Sequence, residues 1–313
     1  MNGYFLPVGL LLAFLTAWLA PAPGMALQAM GMIPWMVVTI FLINGYQTVL
    51  SQMPLSGKLW STALIAILIN LLISPFLGLA TATLLALPAG AALGLIVTAT
   101  VPATLSSGIV MTQLAEGDRF KALFLTILLN LLGVFTIPFL LPVVLENVGD
   151  LTLSPWPLLQ QLLIIVLIPF VTGMLGRRII QLPPRHWLIR YLPSSCVVLT
   201  VWMSVSASSD TLREISLSLI GSMIAAALLL HGALLLLCLG SRRINRPERA
   251  EWIALLFTAS QKTLPVAVGV LVALNQSVGV ALVACILFHF LQLFVDSMLA
   301  ARLARSAVRP NPV

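Results

Sequence analysis

Ten apolar runs, separated by short polar or Pro/Gly segments, constrain the fold more than any other feature of this sequence. Each has about 20 residues, the length that a helix needs to cross a hydrocarbon core of about 30 Å. Of the 313 residues, 60% are hydrophobic and 8% are charged, and the mean hydropathy is +1.10. Because soluble domains lie far from these values, we predict an all-α polytopic membrane protein. The predicted spans are 4–20, 29–51, 59–84, 88–115, 120–145, 156–176, 188–208, 216–239, 250–274 and 277–301.

Lysine and arginine residues provide an independent test of this count, because cytoplasmic loops are enriched in both. With ten spans, fourteen of the 16 basic residues fall on one side, Arg213 falls on the other, and Lys262 lies inside a span. We therefore expect both termini to be cytoplasmic and no soluble domain. The compact loops and the basic cytoplasmic side suggest a bacterial inner membrane. The fourteen are Lys58, Arg119, Lys121, Arg177, Arg178, Arg185, Arg190, Arg242, Arg243, Arg246, Arg249, Arg302, Arg305 and Arg309.

Several other classes of protein are disfavoured. The net charge of +7 comes from short basic clusters between apolar runs, so no nucleic-acid partner is expected. Cys196, Cys238 and Cys285 lie in separate apolar segments without a CxxC motif, which favours neither a disulfide framework nor a metal site. The sequence contains no HExxH, Walker-type or GxSxG motif. We expect neither catalysis nor a cofactor.

The two halves of the chain share a spacing of prolines. Pro7 and Pro169 are 162 residues apart, and Pro102 and Pro265 are 163 apart. A duplicated unit of five spans would enter the membrane in opposite orientations, which is the inverted repeat of many transporters. With 20 prolines, two matching offsets also arise by chance. The two predicted repeats, about 4–145 and about 156–301, would form one transmembrane transporter domain, 1–313.

The ninth span contains a lysine beside a helix breaker. A lysine at the bilayer centre costs about 2.5 to 3.5 kcal/mol on insertion scales, so Lys262 needs a polar partner or a watery cavity. Pro265 removes a backbone donor and disfavours helical geometry in the residue before it. Ser260, Gln261 and Thr263 add polar groups at the same place. A broken helix with polar groups is how many secondary transporters form a site.

The fourth span contains a second break, rich in hydroxyl groups. Pro102 and Gly108 flank a segment that includes Thr104, Ser106 and Ser107. Such a segment frees carbonyls and supplies hydroxyl oxygens, which hard cations such as sodium prefer. Close helix packing through small residues is the structural alternative. A corresponding break in the ninth span favours a binding site.

Two further spans carry polar stripes. Thr126 and Asn130 are four residues apart and share a face of the fifth span, where we expect a contribution to a polar site. His289, Gln292 and Asp296 form one stripe along the last span.

The acidic residue of the last stripe allows two interpretations. Asp296 is either a counter-ion for Lys262 or a proton carrier, or it is simply hydrated near the cytoplasmic end, close to Arg302. His289 shares the candidate proton or counter-ion role. His231, alone in the apolar eighth span, is interpreted as a packing histidine.

Several motifs together resemble a known family. The segments 102–112, 114–118 and 130–133, with Pro138, resemble the bile acid:sodium symporter superfamily. The Ser260-Gln261-Lys262 core resembles its divergent branch, which includes vertebrate solute carrier family 10 member 7 and fungal regulators of calcium uptake. The resemblance implies ten helices in two inverted five-helix repeats, interleaved as panel and core domains. Helices 4 and 9 would be broken and would cross near the midplane.

The resemblance also implies candidate ion ligands. Sodium-coupled members bind ions at the fourth-helix break, on the fifth helix, and through a glutamate and a glutamine four residues apart on the ninth. The glutamate position here is Phe257, so a sodium site is doubtful. We hypothesise that the Lys262 ammonium takes the electrostatic role of a bound sodium. The matching ligand positions are Ser106, Ser107, Thr126, Asn130 and Gln261.

These observations predict a secondary active transporter in the lipid bilayer. Its substrate would be a small organic anion moved by alternating access, with weak or absent sodium coupling and with sodium or a proton as the coupling ion. Two alternatives remain: a regulatory membrane protein of calcium homeostasis, and a cation/proton exchanger that uses Asp296.

Overall fold

The computed structural model describes residues 5–48, 57–146, 154–181, 183, 186–274 and 279–308, and all regular structure within these ranges is helical. Residues 49–51 and 277–278, at the edges of two predicted spans, lie outside the described residues. The helices are α1 Phe5–Leu19, α2 Pro21–Ala29, α3 Met32–Gln47, α4 Gly57–Ile67, α5 Ser74–Leu84, α6 Ala89–Thr100, α7 Ser107–Leu114, α8 Arg119–Leu145, α9 Pro155–Leu162, α10 Ile168–Gly176, α11 Trp187–Ala207, α12 Ser209–Arg213, α13 Leu217–Asn245, α14 Arg249–Ala259, α15 Leu264–Ala273 and α16 Gly279–Val308.

The lengths and apolarity of these helices confirm an all-α polytopic membrane protein. Shorter apolar helices are α3, α6 and part of α11, while α1 and α2 form a pair bent by 100° that could count as one more span. Every predicted span overlaps described helix, but the count of ten stays a prediction. Six described stretches are long and apolar enough to cross a membrane alone: Leu59–Leu84, Arg119–Leu145, Pro155–Gly176, Leu217–Ile244, Arg249–Ala273 and Gly279–Arg305.

Two helices contain a wide turn before a proline. A π-helical segment, Leu68–Ile73, joins α4 to α5 just before Pro75, and another, Leu163–Leu167, joins α9 to α10 before Pro169. Proline lacks an N–H group, so a carbonyl one turn earlier loses its partner. π-helical turns occur frequently at functional sites. The first of these segments faces the breaks described next.

The two predicted breaks are present and touch each other. The chain leaves helical geometry between α6 and α7 and again between α14 and α15. The backbone N–H of Thr263 donates to the carbonyl of Pro102 at 2.9 Å, so the two breaks meet directly. Gly133 of α8 packs on the Pro102 ring, where an added Cβ would lie 2.8 Å from the ring. This glycine allows α8 to support the crossing.

On the other side of the molecule, α3 and α10 approach to backbone contact. A Cβ on Gly45 would lie 1.9 Å from the carbonyl oxygen of Phe170. A Cβ on Gly173 would lie 1.9 Å from the carbonyl oxygen of Leu42. Helix α11 also packs on α3, whereas α16 packs on α6 and α13. The helix breaks lie between these two groups of helices.

Candidate functional site

Lys262 lies at the crossing and is almost completely buried, with 1% of its surface exposed. Its Nζ donates to the carbonyl oxygens of Asn70 at 2.5 Å and Val101 at 3.0 Å. Its backbone is held by one side chain: its N–H donates to Gln292 Oε1 at 2.9 Å, and its carbonyl accepts from Gln292 Nε2 at 2.8 Å. Backbone carbonyls therefore hold the amine.

Both carbonyls are free for a structural reason. Asn70 lies in the first π-helical segment, and Val101 lies just beyond the end of α6, where the chain becomes extended. The Asn70 side chain also binds the second break, because its Nδ2 donates to the carbonyls of Ala259 at 2.9 Å and Gln261 at 3.0 Å. One residue of the third predicted span therefore contacts the ninth through both its backbone and its side chain.

Gln261 connects the two breaks to the last helix. Its Oε1 accepts hydrogen bonds from Ser107 Oγ at 2.7 Å and Thr104 Oγ1 at 3.2 Å. Its Nε2 donates to Asp296 Oδ2 at 2.6 Å. The two hydroxyl groups are themselves 2.5 Å apart. A single amide thus joins a hydroxyl pair to a buried carboxyl group.

Asp296 and His231 form a buried pair, which corrects three sequence-based interpretations. Asp296 is 0% exposed, so it is not hydrated at a helix end. Its Oδ1 lies 3.0 Å from His231 Nε2, so His231 is not simply a packing histidine. Among the described residues Asp296 makes no ion pair with Lys262, so it is not a direct counter-ion. His231 Nδ1 is buried without a described partner.

The fifth predicted span brings Asn130 to the first break. Its Nδ2 donates to the carbonyls of Ala103 and Thr126, each at 2.8 Å. Ser260, by contrast, is satisfied within its own helix, where its Oγ donates to the Leu256 carbonyl at 2.7 Å. Three buried acceptor atoms near the breaks have no partner in the described part of the chain and are the available oxygens for a cation or water. These are Asn70 Oδ1, Thr126 Oγ1 and Asn130 Oδ1.

The position that carries glutamate in sodium-coupled relatives is apolar. Phe257 is fully buried in α14. Gly108, in the first turn of α7, packs over this helix, and an added Cβ there would lie 3.1 Å from the Phe257 carbonyl oxygen and 3.4 Å from Gln261 Oε1. The approach is close, so a larger side chain at Gly108 would require its neighbours to shift by a few tenths of an ångström. It also brings α7 within hydrogen-bond reach of Gln261.

A cavity of about 100 Å³ lies between the breaks and the helices α3, α11 and α16. None of the described residues that line it is Asp, Glu, Lys or Arg, and Lys262 lies behind the cavity wall. Thr104 and Ser107 line it, which connects the cavity to Gln261. Other polar lining residues are Asn44, Gln47, Ser106, Ser194, Thr263 and His289.

Two helix N-termini border this cavity. Helix α7 begins at Ser107 after Ser106, and α15 begins at Leu264 after Thr263. Neither preceding side chain caps its helix, although the Gly108 N–H of α7 donates to Thr104 Oγ1 at 3.3 Å and Pro265 in the first turn of α15 has no N–H. The N-terminus of a helix carries a partial positive charge and unpaired N–H groups, which favour an anion. His289 faces the cavity from α16, with its Nδ1 bonded to Gln292 Nε2 at 3.0 Å.

Sequence reasoning did not assign a role in the site to Asn70, Gln292 or His231. Asn70 could have been found, because a lone amide in an apolar span is a candidate functional residue by default. Gln292 was noted in a stripe, but its capture of the Lys262 backbone depends on the tertiary structure. The pairing of His231 with Asp296 joins two spans, so sequence spacing does not reveal it.

Discontinuous helices that cross beside a polar cavity define the architecture of a secondary membrane transporter. The chain belongs to the SBF-like CPA transporter family, whose sequence model matches residues 4–305. This membership confirms the resemblance to the bile acid:sodium symporter superfamily and an integral membrane protein.

Curated relatives share this family character. A "Probable sodium/metabolite cotransporter BASS4, chloroplastic" of Oryza sativa subsp. japonica is 27% identical, covering 94% of this chain and 74% of the relative. The protein of the same name in Arabidopsis thaliana is 28% identical over 83% of this chain and 63% of the relative. An uncharacterized protein of Pseudomonas aeruginosa is 30% identical over 68% of this chain and 66% of its own length.

Proposed function

We propose that this protein is a secondary active transporter that moves a small organic anion by alternating access. The observation that carries the proposal is the polar cavity at two crossing helix breaks, bordered by two helix N-termini. Relatives named as sodium/metabolite cotransporters support a small metabolite as the substrate. Sites of this form bind anionic groups at half-helix N-termini in other transporters.

The chemistry of the cavity favours an anion. Its polar wall consists mainly of hydroxyl and amide groups, which can donate hydrogen bonds to carboxylate or sulfate oxygens. Lys262, one layer behind the wall, adds positive potential when protonated, and burial strengthens that potential because screening is weak there. Hydrogen bonds in which the acceptor is ionised are about twice as strong as neutral ones.

The coupling to sodium is weak or absent in this proposal. Lys262 Nζ bridges the carbonyls of Val101 and Asn70, and so occupies oxygen atoms at the crossing as a bound cation would. Phe257 supplies no carboxylate. Sodium nevertheless remains an alternative coupling ion, because Thr126 and Asn130 retain unpartnered oxygens.

A ten-helix inverted repeat is part of the proposal. Asn130 of the first half donates to the break at Ala103, and Gln292 of the second half binds the break at Lys262. These amides are 162 residues apart, as are Pro7 and Pro169, which supports an internal repeat. The panel domain would comprise α1–α3 and α9–α11, and the core domain α4–α8 and α13–α16.

The basic loops place both termini in the cytoplasm in this scheme, in a bacterial inner membrane. The cavity then opens toward the cytoplasm, because it lies beside the end of α3 and the start of α11, which adjoin basic loops. Arg177 supports this placement, since its Nη1 donates to the carbonyl of Tyr46 at the end of α3 at 3.1 Å.

A cation/proton exchanger is the second candidate function, and a specific observation favours it. Asp296, a titratable group, is fully buried, and it is bonded to both His231 and Gln261. Such an exchanger would bind sodium and protons in competition.

Thermal unfolding of the purified protein tests the proposal. The ligands are sodium, calcium and five sodium-free carboxylates: acetate, pyruvate, citrate, benzoate and cholate. At least one carboxylate should raise the unfolding temperature, because a ligand of the folded state stabilises it by mass action. Ser107→Ala should reduce that shift, and Ser297→Ala, an exposed hydroxyl bonded only within its own helix, should not.

Other outcomes identify the alternatives. Stabilisation by calcium alone would favour the regulatory membrane protein. A sodium shift that protons abolish competitively, with no carboxylate shift, would favour the exchanger. Either result would contradict organic anion transport.

A further inference from the structure

The buried His231–Asp296 pair has a direct hydrogen-bonded connection to the cavity wall. Asp296 Oδ1 faces His231 Nε2 at 3.0 Å, and Asp296 Oδ2 accepts from Gln261 Nε2 at 2.6 Å. On the far side of the same amide, Gln261 Oε1 accepts from the Ser107 hydroxyl, which lines the cavity. Both side chains of the pair are fully buried, at 1% and 0% exposure, and neither lines the cavity.

The amide between them has a polarity that depends on the charge of Asp296. An ionised carboxylate only accepts hydrogen bonds, so Gln261 must present its NH₂ group to Asp296 and its oxygen to Thr104 and Ser107. The two hydroxyl groups then donate their hydrogen bonds to Gln261 or to each other. This is the arrangement in the structure.

A proton on Asp296 Oδ2 would reverse this polarity. The carboxyl group would become a donor, so the amide would turn and present its oxygen to Asp296. Its NH₂ group would then donate to the hydroxyl oxygens, and at least one of the Ser107 and Thr104 hydrogens would be free to point into the cavity. An anion in the cavity would gain this donor.

We propose that His231 and Asp296 form a proton-binding site, and that Gln261 couples it to anion binding in the cavity. This inference rests on the proposed function and makes the transporter a proton-coupled anion symporter. One proton from water adds to the pair, and the amide rotates. The anion binds more tightly to the protonated form. Coupling is reciprocal, so the bound anion strengthens proton binding equally.

Charge also links protonation of the pair to anion binding. Lys262 follows Gln261 in the second break, and Cys238, a buried free thiol, lies on the His231 helix. Protonation of the pair removes a negative charge that contacts Gln261, which favours an incoming anion.

Other described ionisable side chains on the neighbouring helices belong mostly to helix ends. The α16 helix also carries His289, which faces the cavity and Gln292. From α11, Cys196 is a buried free thiol. The remaining groups on α13, α16 and the helices packed against them are the buried thiol of Cys285 on α16, Arg242, Arg243, Arg302 and Arg305, Arg249 and Glu251 of α14, Tyr191 of α11, and Asp210 and Arg213 of α12.

Infrared difference spectroscopy tests the proton site without any substrate. Acidification of the purified wild-type protein from about pH 8 to about pH 5 should produce the C=O stretch of a buried carboxylic acid. Labelling of aspartate side chains with ¹³C should shift this band, which assigns it to aspartate without any mutation. Asp296→Asn should remove the band, and Glu214→Gln, at an exposed carboxylate, should retain it.

Thermal-shift measurements test the coupling between proton binding and anion binding, with the same five carboxylates as probes. The affinity of wild-type protein for a stabilising carboxylate should rise as pH falls, by up to about tenfold per pH unit for one coupled proton. Asp296→Asn, which imitates the protonated acid, should bind it with little pH dependence. Gln261→Leu should keep the infrared band, but addition of the carboxylate should no longer shift the pH at which the band appears.

The outcomes separate this inference from the proposed function. A wild-type protein with no label-sensitive band across this pH range, or with pH-independent carboxylate affinity, would overturn the proton-coupled site while anion transport stands. A band without stabilisation by any of the five carboxylates would support the proton site and contradict the proposed function. A band that survives in folded Asp296→Asn would assign the proton to another aspartate and overturn the inference.

Discussion

Lys262 is a fully buried amine that backbone carbonyls hold, and no carboxylate of the described residues pairs with it. An ammonium taken out of water loses several kcal/mol of solvation, even after the protein relaxes around it. Two carbonyl hydrogen bonds return only part of this cost. Because burial of the Lys262 ammonium is unfavourable, we infer that this residue has a role other than stability. Its position indicates that this role lies at the crossing of the two breaks.

Lys262→Met should separate stability from function. The substitution leaves two carbonyls unpaired, at about 1 to 3 kcal/mol each, but removes a buried charge whose penalty is of similar size. We expect an unfolding temperature close to that of the wild type, together with at least a tenfold loss of carboxylate affinity in the thermal-shift assay. Arg243→Met, which also replaces a basic residue by methionine but at an exposed site, should leave both unchanged.

One outcome would refute the built-in cation. If uptake into proteoliposomes rises steeply with sodium in the wild type and survives in Lys262→Ala, the lysine does not take the place of sodium.

Single residues differed in how far their roles could be predicted. Insertion energetics identified Lys262, and the proline and hydroxyl pattern placed Ser107 beside it, because both signals are local in sequence. His231 and Asn70 were not assigned, since their partners lie 65 and at least 189 positions away. The predicted preference for an anion stays a prediction, and Lys262 would contribute to it only through its electric field, because the chain folds Lys262 behind the cavity wall.

At the scale of elements, proline and hydroxyl signals predicted both breaks, and the structure contains them. The π-helical segment around Asn70 was not predicted, although Pro75 explains it, because a proline permits either a kink or a wide turn. Helix α2 was also missed. It occupies a segment that was interpreted as a loop, and Pro21 is tolerated there because the first helical residue needs no donor.

A buried ion pair joins the starts of two helices to a third. Lys121 of α8 donates to Glu251 Oε2 of α14 at 2.6 Å, and the Thr62 hydroxyl of α4 donates to Glu251 Oε1. Asp118 caps α8 by accepting from the N–H groups of Phe120 and Lys121. These contacts hold the helix before the second break in place.

Removal of one partner of this pair should be costly. Lys121→Met leaves the Glu251 carboxylate, which is 3% exposed, without its cation, and we expect the free energy of unfolding to fall by about 3 kcal/mol. The measurement is thermal unfolding of the purified variant, with Arg178→Met as a matched change at an exposed arginine.

The double variant Lys121→Met/Glu251→Gln should recover part of the loss, because no unpaired charge remains. Equal losses in Lys121→Met and Arg178→Met would contradict a structural role for the pair.

For the whole molecule, alternating access requires that one site face the two sides of the membrane in turn. The sequence predicts the class of fold well, because hydropathy reports membrane spans directly. It does not give the conformation, because two packings of the same helices satisfy the same pattern. The side of the membrane on which the cavity opens depends on how one group of helices is placed against the other.

Cysteine labelling tests both the orientation and the alternation. The native cysteines Cys196, Cys238 and Cys285 are buried, so a membrane-impermeant maleimide should react mainly with an introduced thiol. Ser106→Cys, exposed in the cavity, should react in inside-out vesicles, because the basic loops predict that this opening lies on the cytoplasmic side. During transport it should also become reactive in right-side-out vesicles.

Two exposed positions serve as fixed references. Ser154→Cys should react only in right-side-out vesicles and Arg243→Cys only in inside-out vesicles, whatever the transport state. Reaction of both references from one side would contradict the ten-span topology, since that topology separates them by three spans. A cavity cysteine that reacts from one side under every condition, while the references behave as expected, would exclude alternating access at this cavity, because a rigid opening cannot exchange its solute across the membrane.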